Sequence, residues 1–519
     1  MKVFPSARVR EIDHYTIEHE PIVSIDLMER AATRLNGWYV RHLGIDRKVI
    51  VVAGPGNNGG DALALARMLA ERQYLVACYV IDLGGKMSKD CSVNLERLQK
   101  QGRVKPVMIR EKSDLPEIGS GDVVVDGIFG SGLSRVAEGF PAEVIAHINR
   151  SGATVVSVDI PSGLFGEDNT SNREEGIIRA DYTLTFQFPF LSFFFTDYAH
   201  CVGQWRVLDI GLHPEIIRQT ETAYETISRE SVSSLFPARD PFAHKGTFGH
   251  ALVIGGSYGM MGAALLTTKA ALRSGAGLVT LHLPKSGYTI AQTAIPEAIV
   301  SIDQSEILFS RAPDLSPYGA VAVGPGIGTR TNSEKGLEEL LERASVPLVI
   351  DADALNILAG NKQLLEKLPQ GTVLTPHPGE FDRLAGPSKS GYERHINQRM
   401  FSERYGVLVV LKGNHTGIST PGGKYWINRT GNPGMATGGS GDVLTGIIVS
   451  LLAAGLPAEE ACRAGVYLHG LAGDIARDQW GEEALIAGDI TGSLGKAFLF
   501  MKNKPFLHER RFRGGVIRE

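Results

Sequence analysis

The sequence predicts an α/β protein of two successive domains, each a mostly parallel β-sheet covered by helices. Three observations carry this. The chain has 519 residues, and a typical domain holds roughly 100–200. Short β-branched runs alternate with helical stretches, as in parallel sheets covered on both faces. That alternation stops once and restarts, around a polar stretch from His213 to Lys245 that carries Pro214, Pro237 and Pro241. The boundary is placed near residue 225, giving domains 1–225 and 226–519.

After a helical N-terminal segment, KVIVVA reads as a strand, GPGNNGGD as a loop and ALALARMLAER as a helix of good propensity. YLVACYVID, GDVVVDGIFG, ATVVSVDIPSG, ADYTLTFQ and QWRVLDIGL continue the strands. The second series runs HALVIGGS, the helix GAALLTTKAALRSG, GLVTLHLP, GAVAVGPGIG, PLVIDADALN, TVLTPHPGE and GVLVVLKGN. Two apolar helices, around GDVLTGIIVSLLAAG and AEEACRAGVYLHGLAGDIA, are expected to close the chain.

Composition narrows the function. The formal net charge of -4 offers no bulk field for nucleic acid or an anionic membrane. Cys78, Cys91, Cys201 and Cys462 are widely spaced, which suits free thiols in a reducing cytoplasm. The charged N-terminus has no apolar signal core. FQFPFLSFFFTDY is too short to span a bilayer and reads as buried strand and loop. The basic stretch MKNKPFLHERRFRGG reads as a solvated C-terminus. The N-terminal helices are expected to expose apolar residues and so to support a homo-oligomer.

Gly54, Gly56 and Gly59 have G-x-G-x-x-G spacing between a strand and a helix, where backbone amides can hold a phosphate. Asp82 ends the next strand, near where a dinucleotide fold places its ribose-binding acid. A dehydrogenase is one reading, and a plain turn capped by Asp61 is another. Against the dehydrogenase, Asn57 and Asn58 add amides that a phosphate turn does not need, and Asp61 would repel a pyrophosphate. Asp126 and Asp159 each end an apolar strand. Carboxyl ends of neighbouring parallel strands line the ligand crevice, so these acids and Asn58 can converge for cation binding or acid/base work.

GPGNNGGD, VDGIFGSGL and VDIPSGL, in this order, resemble the NAD(P)H-hydrate epimerase family over roughly the first 220 residues. The resemblance implies a Rossmann-like, three-layer domain that interconverts the R and S epimers of hydrated nicotinamide in NADHX and NADPHX. It implies potassium at Asn58, Asp126 and Ser162, and acid/base work by Asp159. It implies substrate contacts from Asp159, from Asn57, Asn58, Gly59, Gly60 and Asp61, and from the loop of Gly130, Ser131, Gly132, Leu133, Ser134, Arg135 and Val136. Two positions depart from the pattern: Ala62 stands where glycine is usual, and Phe190 where a basic residue is expected.

In the second domain, Gly438, Gly439 and Gly441 precede a strongly apolar helix with Asp442 at its start. Amides of such a turn converge under the helix's partial positive charge and suit a transferring phosphoryl group. Asp442 lies where it can accept a proton from a hydroxyl. No Lys-Ser/Thr follows, so this is not a Walker loop. GPGIG again follows a strand, and the prolines of TPHPGE stiffen the loop that presents His377. KGNHT after VLVVL suits a backbone and Lys412 contact to a nucleotide phosphate.

HKGTFGHALVIGGS joined to MATGGSGDVLTGIIVSLLAAG resembles the ribokinase-like superfamily, and within it the ADP- or ATP-dependent NAD(P)H-hydrate dehydratases, over residues 230 to about 500. The resemblance implies that Ala263, Gly326, Gly328, His377 and Asp442 contact the hydrated dinucleotide. It implies that Lys412, Gly413, Asn414, His415, Thr416 and Gly441 contact the adenine nucleotide, with magnesium alongside and Asp442 as base. The implied activity is epimerisation followed by nucleotide-dependent dehydration of the S hydrate with release of phosphate. A ribokinase-like small-molecule kinase fused to a nucleotide-binding regulatory domain is the alternative.

Overall fold

The computed structural model describes residues 1–20 and 22–502, so the basic stretch from residue 503 onward lies outside the described residues. The chain divides into two compact units: residues 2–222 with 389–393, and residue 1 with 223–388 and 394 onward. Segment 389–393 packs on a unit far from it in sequence, which no local pattern signals.

The sheet of the N-terminal unit has seven strands: β1 (Val49–Ala53), β2 (Val76–Ile81), β3 (Val107–Ile109), β4 (Val123–Gly127), β5 (Thr154–Val158), β6 (Tyr182–Phe186) and β7 (Gln204–Leu208). All pair in parallel, in the order β3-β2-β1-β4-β5-β6-β7. The five residues of β1 are all buried because they alternate between two covered faces. Val49 and Val51 pack with Leu35, Trp38, Leu63, Leu69 and Leu98. These come from α2 (Ser24–His42), α3 (Asn57–Glu71) and α4 (Lys89–Gln101). Ile50 and Val52 face Val144, Ile145 and Ile148 of α5 (Phe140–Arg150). This is the Rossmann-like three-layer arrangement. Its strand order reverses between β1 and β4, and ligands bind at such a switch point, off the carboxyl ends of the strands.

The apolar residues of α1 (Ser6–His19) and α2 are covered rather than exposed. Ile12, Leu27 and Ala31 pack with Phe4 and Phe188, and Val9 and Ile17 lie against them. The apolar surface expected on these helices to support a homo-oligomer is therefore spent within the unit. The run around Phe190 is buried, as expected, but the strand ends at Phe186 and Leu191–Phe194 form a 3-10 turn in place of further strand; Phe190, Phe193 and Cys201 share one cluster. All four cysteines are free and buried. No helix among the described residues is long and apolar enough to cross a membrane.

The C-terminal unit contains β8 (Tyr224–Thr226), β9 (His250–Ile254), β10 (Leu278–Leu283), β11 (Ile299–Ile302), β12 (Ala320–Val323), β13 (Leu348–Ile350), β14 (Val373–Leu374), β15 (Leu408–Leu411), β16 (Gly417–Ser419) and β17 (Tyr425–Ile427). Their order is β8-β17-β16-β15-β14-β13-β12-β9-β10-β11, with only β16 running antiparallel to its neighbours. Ala251 and Val253 face α6 (Met261–Arg273), α10 (Ser440–Ala453), α11 (Ala458–Trp480) and α12 (Ala487–Met501). Leu252 and Ile254 face α7 (Thr331–Arg343), α8 (Ala352–Gly360) and α9 (Pro378–Ala385). Here the order reverses between β9 and β12, so the loops at Gly255 and Gly324 flank the switch point. Gly256 N–H donates to Pro325 O across it (2.8 Å).

The sequence reading expected two helices at the end, and there are three. α12 contains Gly488, Gly492 and Gly495, which weaken its intrinsic propensity. Ile490, Leu494, Ala497 and Met501 recur on one face and are buried against the core, and packing stabilises the helix.

α10 is almost wholly buried and lies closely on α6. At Gly446 a side-chain carbon would overlap the backbone oxygen of Thr267. Helix interiors prefer Ala to Gly by ~1 kcal/mol, but overpacking against rigid backbone costs ~1–3 kcal/mol. Gly446→Val should therefore lower the denaturation midpoint of the C-terminal unit in urea, and Gly446→Ala should not raise it.

Candidate active sites

In the N-terminal unit, the loops after β1, β4 and β5 meet at the switch point. Asp126, at the end of β4, is fully buried. Its Oδ2 accepts from Ser157 Oγ (2.8 Å) and Ser162 N (2.9 Å), and its Oδ1 from Ser162 Oγ (2.5 Å) and Ile128 N (3.3 Å). Burial raises its pKa and these bonds oppose the rise. Asn58 Nδ2 donates to Phe129 O (2.8 Å), and Ser162 Oγ lies 3.1 Å from the same carbonyl. The three residues expected to hold a cation thus converge, with the Phe129 carbonyl as a fourth oxygen that sequence reasoning did not name. Gly130 packs on Asn58, where an added carbon would lie 3.2 Å from Asn58 Cβ. Further along this loop Leu133 N–H donates to Gly130 O (3.2 Å). Arg135 is exposed and makes no ion pair among the described residues.

Asp159 follows β5 with φ of +64°, a left-handed conformation that a non-glycine residue adopts at a cost. Its carboxylate accepts from Phe186 N (3.2 Å) and Thr185 Oγ1 (3.3 Å), while burial pushes its pKa up to about 6. Asp61, in the first turn of α3, is 8% exposed. Burial first, then repulsion from Asp159, Asp13 and Asp90, holds its carboxyl well above the usual range. Asn57 is exposed at the start of the same turn.

The two departures from the family pattern have different outcomes. Gly127 has no side chain, and a carbon there would overlap the Ala62 methyl. The bare strand end thus makes room for Ala62. Phe190 is 2% exposed and packs edge-to-face on Phe193 at 5.6 Å, so its position brings no charge. Asp82 binds Arg110 Nε (2.7 Å) and Gly84 N (2.9 Å), and is taken up structurally.

In the C-terminal unit, Asp442 stands in the first turn of α10 after Gly439 in a left-handed conformation. Burial first, then Asp351, pushes its pKa up to about 7, against Lys412. Lys412 Nζ donates to Asp351 Oδ1 (2.9 Å) and lies 3.8 Å from Glu380 Oε2. Burial opposes the Lys412 charge, yet these carboxylates outweigh it and its pKa is raised. Asp351 Oδ2 accepts from Thr445 Oγ1 of α10 (2.7 Å), so the ion pair is anchored to the helix that carries Asp442. A carbon on Gly441 would lie 3.1 Å from Lys412 Nζ, so the missing side chain leaves the ammonium room at the helix start.

His377 caps α9: its Nδ1 accepts from Gly379 N (3.0 Å) and Glu380 N (3.4 Å). In the neutral ring the hydrogen is then on Nε2, which lies 3.6 Å from Glu380 Oε1. Glu380 Oε2 accepts from His377 N (2.8 Å), joining His377 to Lys412 through one side chain. Gly326 lies beside Ala263, where an added carbon would be 3.5 Å from Ala263 Cβ, and Gly328 N–H donates to Asp353 Oδ2 (2.9 Å). Leu266, on the same helix as Ala263, packs on Gly439. Gly413, Asn414, His415 and Thr416 continue the loop from Lys412, closed by Thr416 Oγ1 to Gly413 O (3.2 Å). Burial lowers the His415 pKa to about 4.

Asp351, Glu380, Thr445 and His469 were not singled out from sequence. Asp351 and Glu380 had a signal, since PLVIDADALN and TPHPGE both end strands. His469 had none. It reaches Ser440 Oγ from α11 (3.3 Å), and burial lowers its pKa to about 4.

Residues 251–492 match the family model of the NAD(P)H-hydrate dehydratases, and residues 24–191 match that of the YjeF-related protein N-terminus. The sequence is 36% identical over 510 residues to the bifunctional NAD(P)H-hydrate repair enzyme Nnr of Moorella thermoacetica, covering 94% of this chain and 95% of that one. With the Escherichia coli enzyme of that name it shares 34% over 453 residues, 86% and 84% of the two chains. The chain belongs to the bifunctional NAD(P)H-hydrate repair enzymes. Among solved structures, the ADP/ATP-dependent NAD(P)H-hydrate dehydratase from Bacillus subtilis, co-crystallised with ATP and Mg2+, is 31% identical; the match covers 53% of this chain and 98% of that one, with a TM-score of 0.48.

The raised carboxyls of this repair enzyme tie function to stability. A carboxyl whose pKa is higher folded than unfolded loses stability as pH rises from the unfolded value to the folded one. For Asp159 that window runs from 3.8 to about 6. Asp159→Asn should stabilise the N-terminal unit by on the order of 2 kcal/mol above the window, and not at all near pH 3. Denaturant titrations at pH 8 and pH 3 check this; equal effects at both pH values would refute the buried-charge origin.

Proposed function

We infer that the N-terminal unit interconverts the R and S hydrates of NADH and NADPH, and that the C-terminal unit dehydrates the S hydrate at the expense of ADP or ATP. The observation that carries the dehydratase chemistry is Asp442, near neutral pKa at the start of α10 and beside the Lys412 ammonium.

The hydrate bears a hydroxyl on the ring carbon beside the nitrogen, and hydroxide is a poor leaving group. In this reading the Asp442 carboxylate takes the hydroxyl proton as that oxygen attacks the terminal phosphorus of the nucleotide, and the bond from that phosphorus to its bridging oxygen breaks to release AMP from ADP or ADP from ATP. The free N–H groups of the first turn of α10 face the transferring phosphoryl group with the helix's positive end. Lys412, held by Asp351, balances the phosphate charge. Phosphate then departs, the nitrogen lone pair forms C=N+, and loss of a proton from the adjacent ring carbon restores the double bond. The loop of Lys412, Gly413, Asn414, His415 and Thr416 together with Gly441 holds the nucleotide. Ala263, Gly326, Gly328 and His377 hold the dinucleotide, with the His377 Nε2–H as donor. Magnesium accompanies the nucleotide and neutralises its phosphates.

In the N-terminal unit Asp159 handles the proton. Asn57, Asn58, Gly59, Gly60, Asp61 and the loop from Gly130 to Val136 form the substrate cradle, with Arg135 available to a substrate phosphate. Asp126 is fully buried and forms no ion pair among the described residues, and such a carboxylate fits a cation. One carboxylate with neutral amide, carbonyl and hydroxyl oxygens suits potassium better than a divalent ion. Asn58, Asp126, Phe129 O and Ser162 would hold it, and it would supply fixed positive charge at the substrate.

Recovery of absorbance at the reduced-nicotinamide band, from mixed NADHX epimers with magnesium and ADP or ATP, tests the reading. Both epimers should recover fully, and the faster nucleotide identifies the donor. Recovery that stops at the share of one epimer would remove the epimerase. A stable phosphorylated product in place of free phosphate would favour the kinase alternative. Asp442→Asn should lower kcat by at least ~100-fold. The wild-type rate should rise with pH through an ionisation near 7, because the carboxylate is the working form. Wild-type turnover by Asp442→Asn would exclude it as the base.

A further inference from the structure

α1 carries one charged residue on its buried face. Val9, Ile12, Asp13, Thr16 and Ile17 follow the spacing of a core-facing stripe. Ile12 and Thr16 are fully buried, and Asp13 between them is half-buried. The helix is fastened to the segments around Asp159. Ser6 N and Oγ both donate to Glu167 Oε1 (2.7 and 2.9 Å), in the loop after β5. Phe4 packs edge-to-face on Phe188, just past the Phe186 amide that binds Asp159. Asp13 makes no hydrogen bond or ion pair among the described residues. Burial and then repulsion from Asp159 push its pKa up to about 7. Asp61 of α3 interacts with both Asp13 and Asp159, and Asp90 of α4 with Asp61. Arg30 of α2 pairs with Glu20, and His213 meets Tyr15 and Thr16 instead.

We propose that Asp13 is a second catalytic proton-handling residue of the epimerase, paired with Asp159 across the hydrated ring. The proposal rests on the epimerase reading. Exchanging R for S requires a hydroxyl to leave one face of the ring carbon and another to arrive on the opposite face, and one short side chain cannot serve both. One carboxyl, protonated, gives its proton to the ring hydroxyl. The carbon–oxygen bond breaks, water leaves, and the nitrogen lone pair forms C=N+. A water on the other face then bonds to that carbon, the electron pair returns to nitrogen, and the second carboxylate takes the surplus proton. The pair ends with its protonation exchanged, ready for the reverse conversion. An unpartnered acid on an apolar stripe, sharing charge with Asp159, is what that scheme needs.

The test follows conversion of pure S-NADHX to the R epimer by the full chain, without nucleotide, from pH 5 to 9. Asp13→Asn should slow it by ~100-fold or more. Dehydration of S-NADHX with nucleotide should be unchanged, which reports an intact C-terminal unit, and a retained cooperative unfolding transition of the N-terminal unit reports that its own fold is kept. The wild-type profile should show two ionisations, near 6 and 7, belonging to the pair, and the variant one. Wild-type speed in the variant overturns the proposal. So does a slowed variant that keeps both ionisations, which would mark Asp13 as structural. Should Asp13→Asn fail to fold, the wild-type profile decides, and a single ionisation overturns the proposal. A wild type that does not interconvert the epimers sinks the epimerase reading and this proposal with it.

Discussion

Keeping carboxylates out of water is the constraint on which both centres depend. A buried carboxylate must be compensated or must take up a proton, and the chain uses each solution where the chemistry calls for it. Asp126 is compensated by four hydrogen bonds. Asp351 is compensated by Lys412 and Thr445. Asp159 and Asp442 receive less, and their pKa values drift to about 6 and about 7. The compensated acids hold geometry, and the uncompensated ones can exchange protons near neutral pH.

The two units share sheet logic and differ in what the helix start presents. In both, the strand order reverses and the loops on either side of the switch point line a crevice. The first turn of α3 brings an amide and a carboxylate, Asn58 and Asp61, and suits a cation with a neutral ring. The first turn of α10 has no side chain at Gly441, with Lys412 filling the space one would have taken. That arrangement suits an anion, and a phosphoryl group is the anion to be moved.

Both proposed reactions weaken the same bond, the carbon–oxygen bond beside the ring nitrogen, by making its oxygen a better leaving group. A proton does this reversibly and lets water return on either face, which yields an epimerase. A phosphoryl group does it irreversibly, because phosphate departs and the adjacent proton is lost. The first product is the second substrate, which gives one chain a reason to carry both units.

Much of this was legible in the sequence because it is local. Alternating β-branched runs with glycine turns after them identify parallel strands and their carboxyl ends, and Asp126 and Asp159 sit at those positions by chain order alone. The motifs GPGNNGGD and GGSGD place the helix starts. What the sequence could not supply depends on partners distant along the chain. α12 is rich in glycine and holds through packing. His469 reaches Ser440 from another helix, and Asp13 shares charge with Asp159 only because α1 lies on the loops after β5 and β6. The pKa values that separate proton carriers from structural acids were also beyond it, since desolvation is a property of the surrounding fold and not of the residue. The sequence by itself determined the elements, the crevices and the chemical groups at their edges. The tertiary structure decided which groups share a site and which of them are free to ionise, because both follow from burial and distance between segments that the chain order leaves far apart.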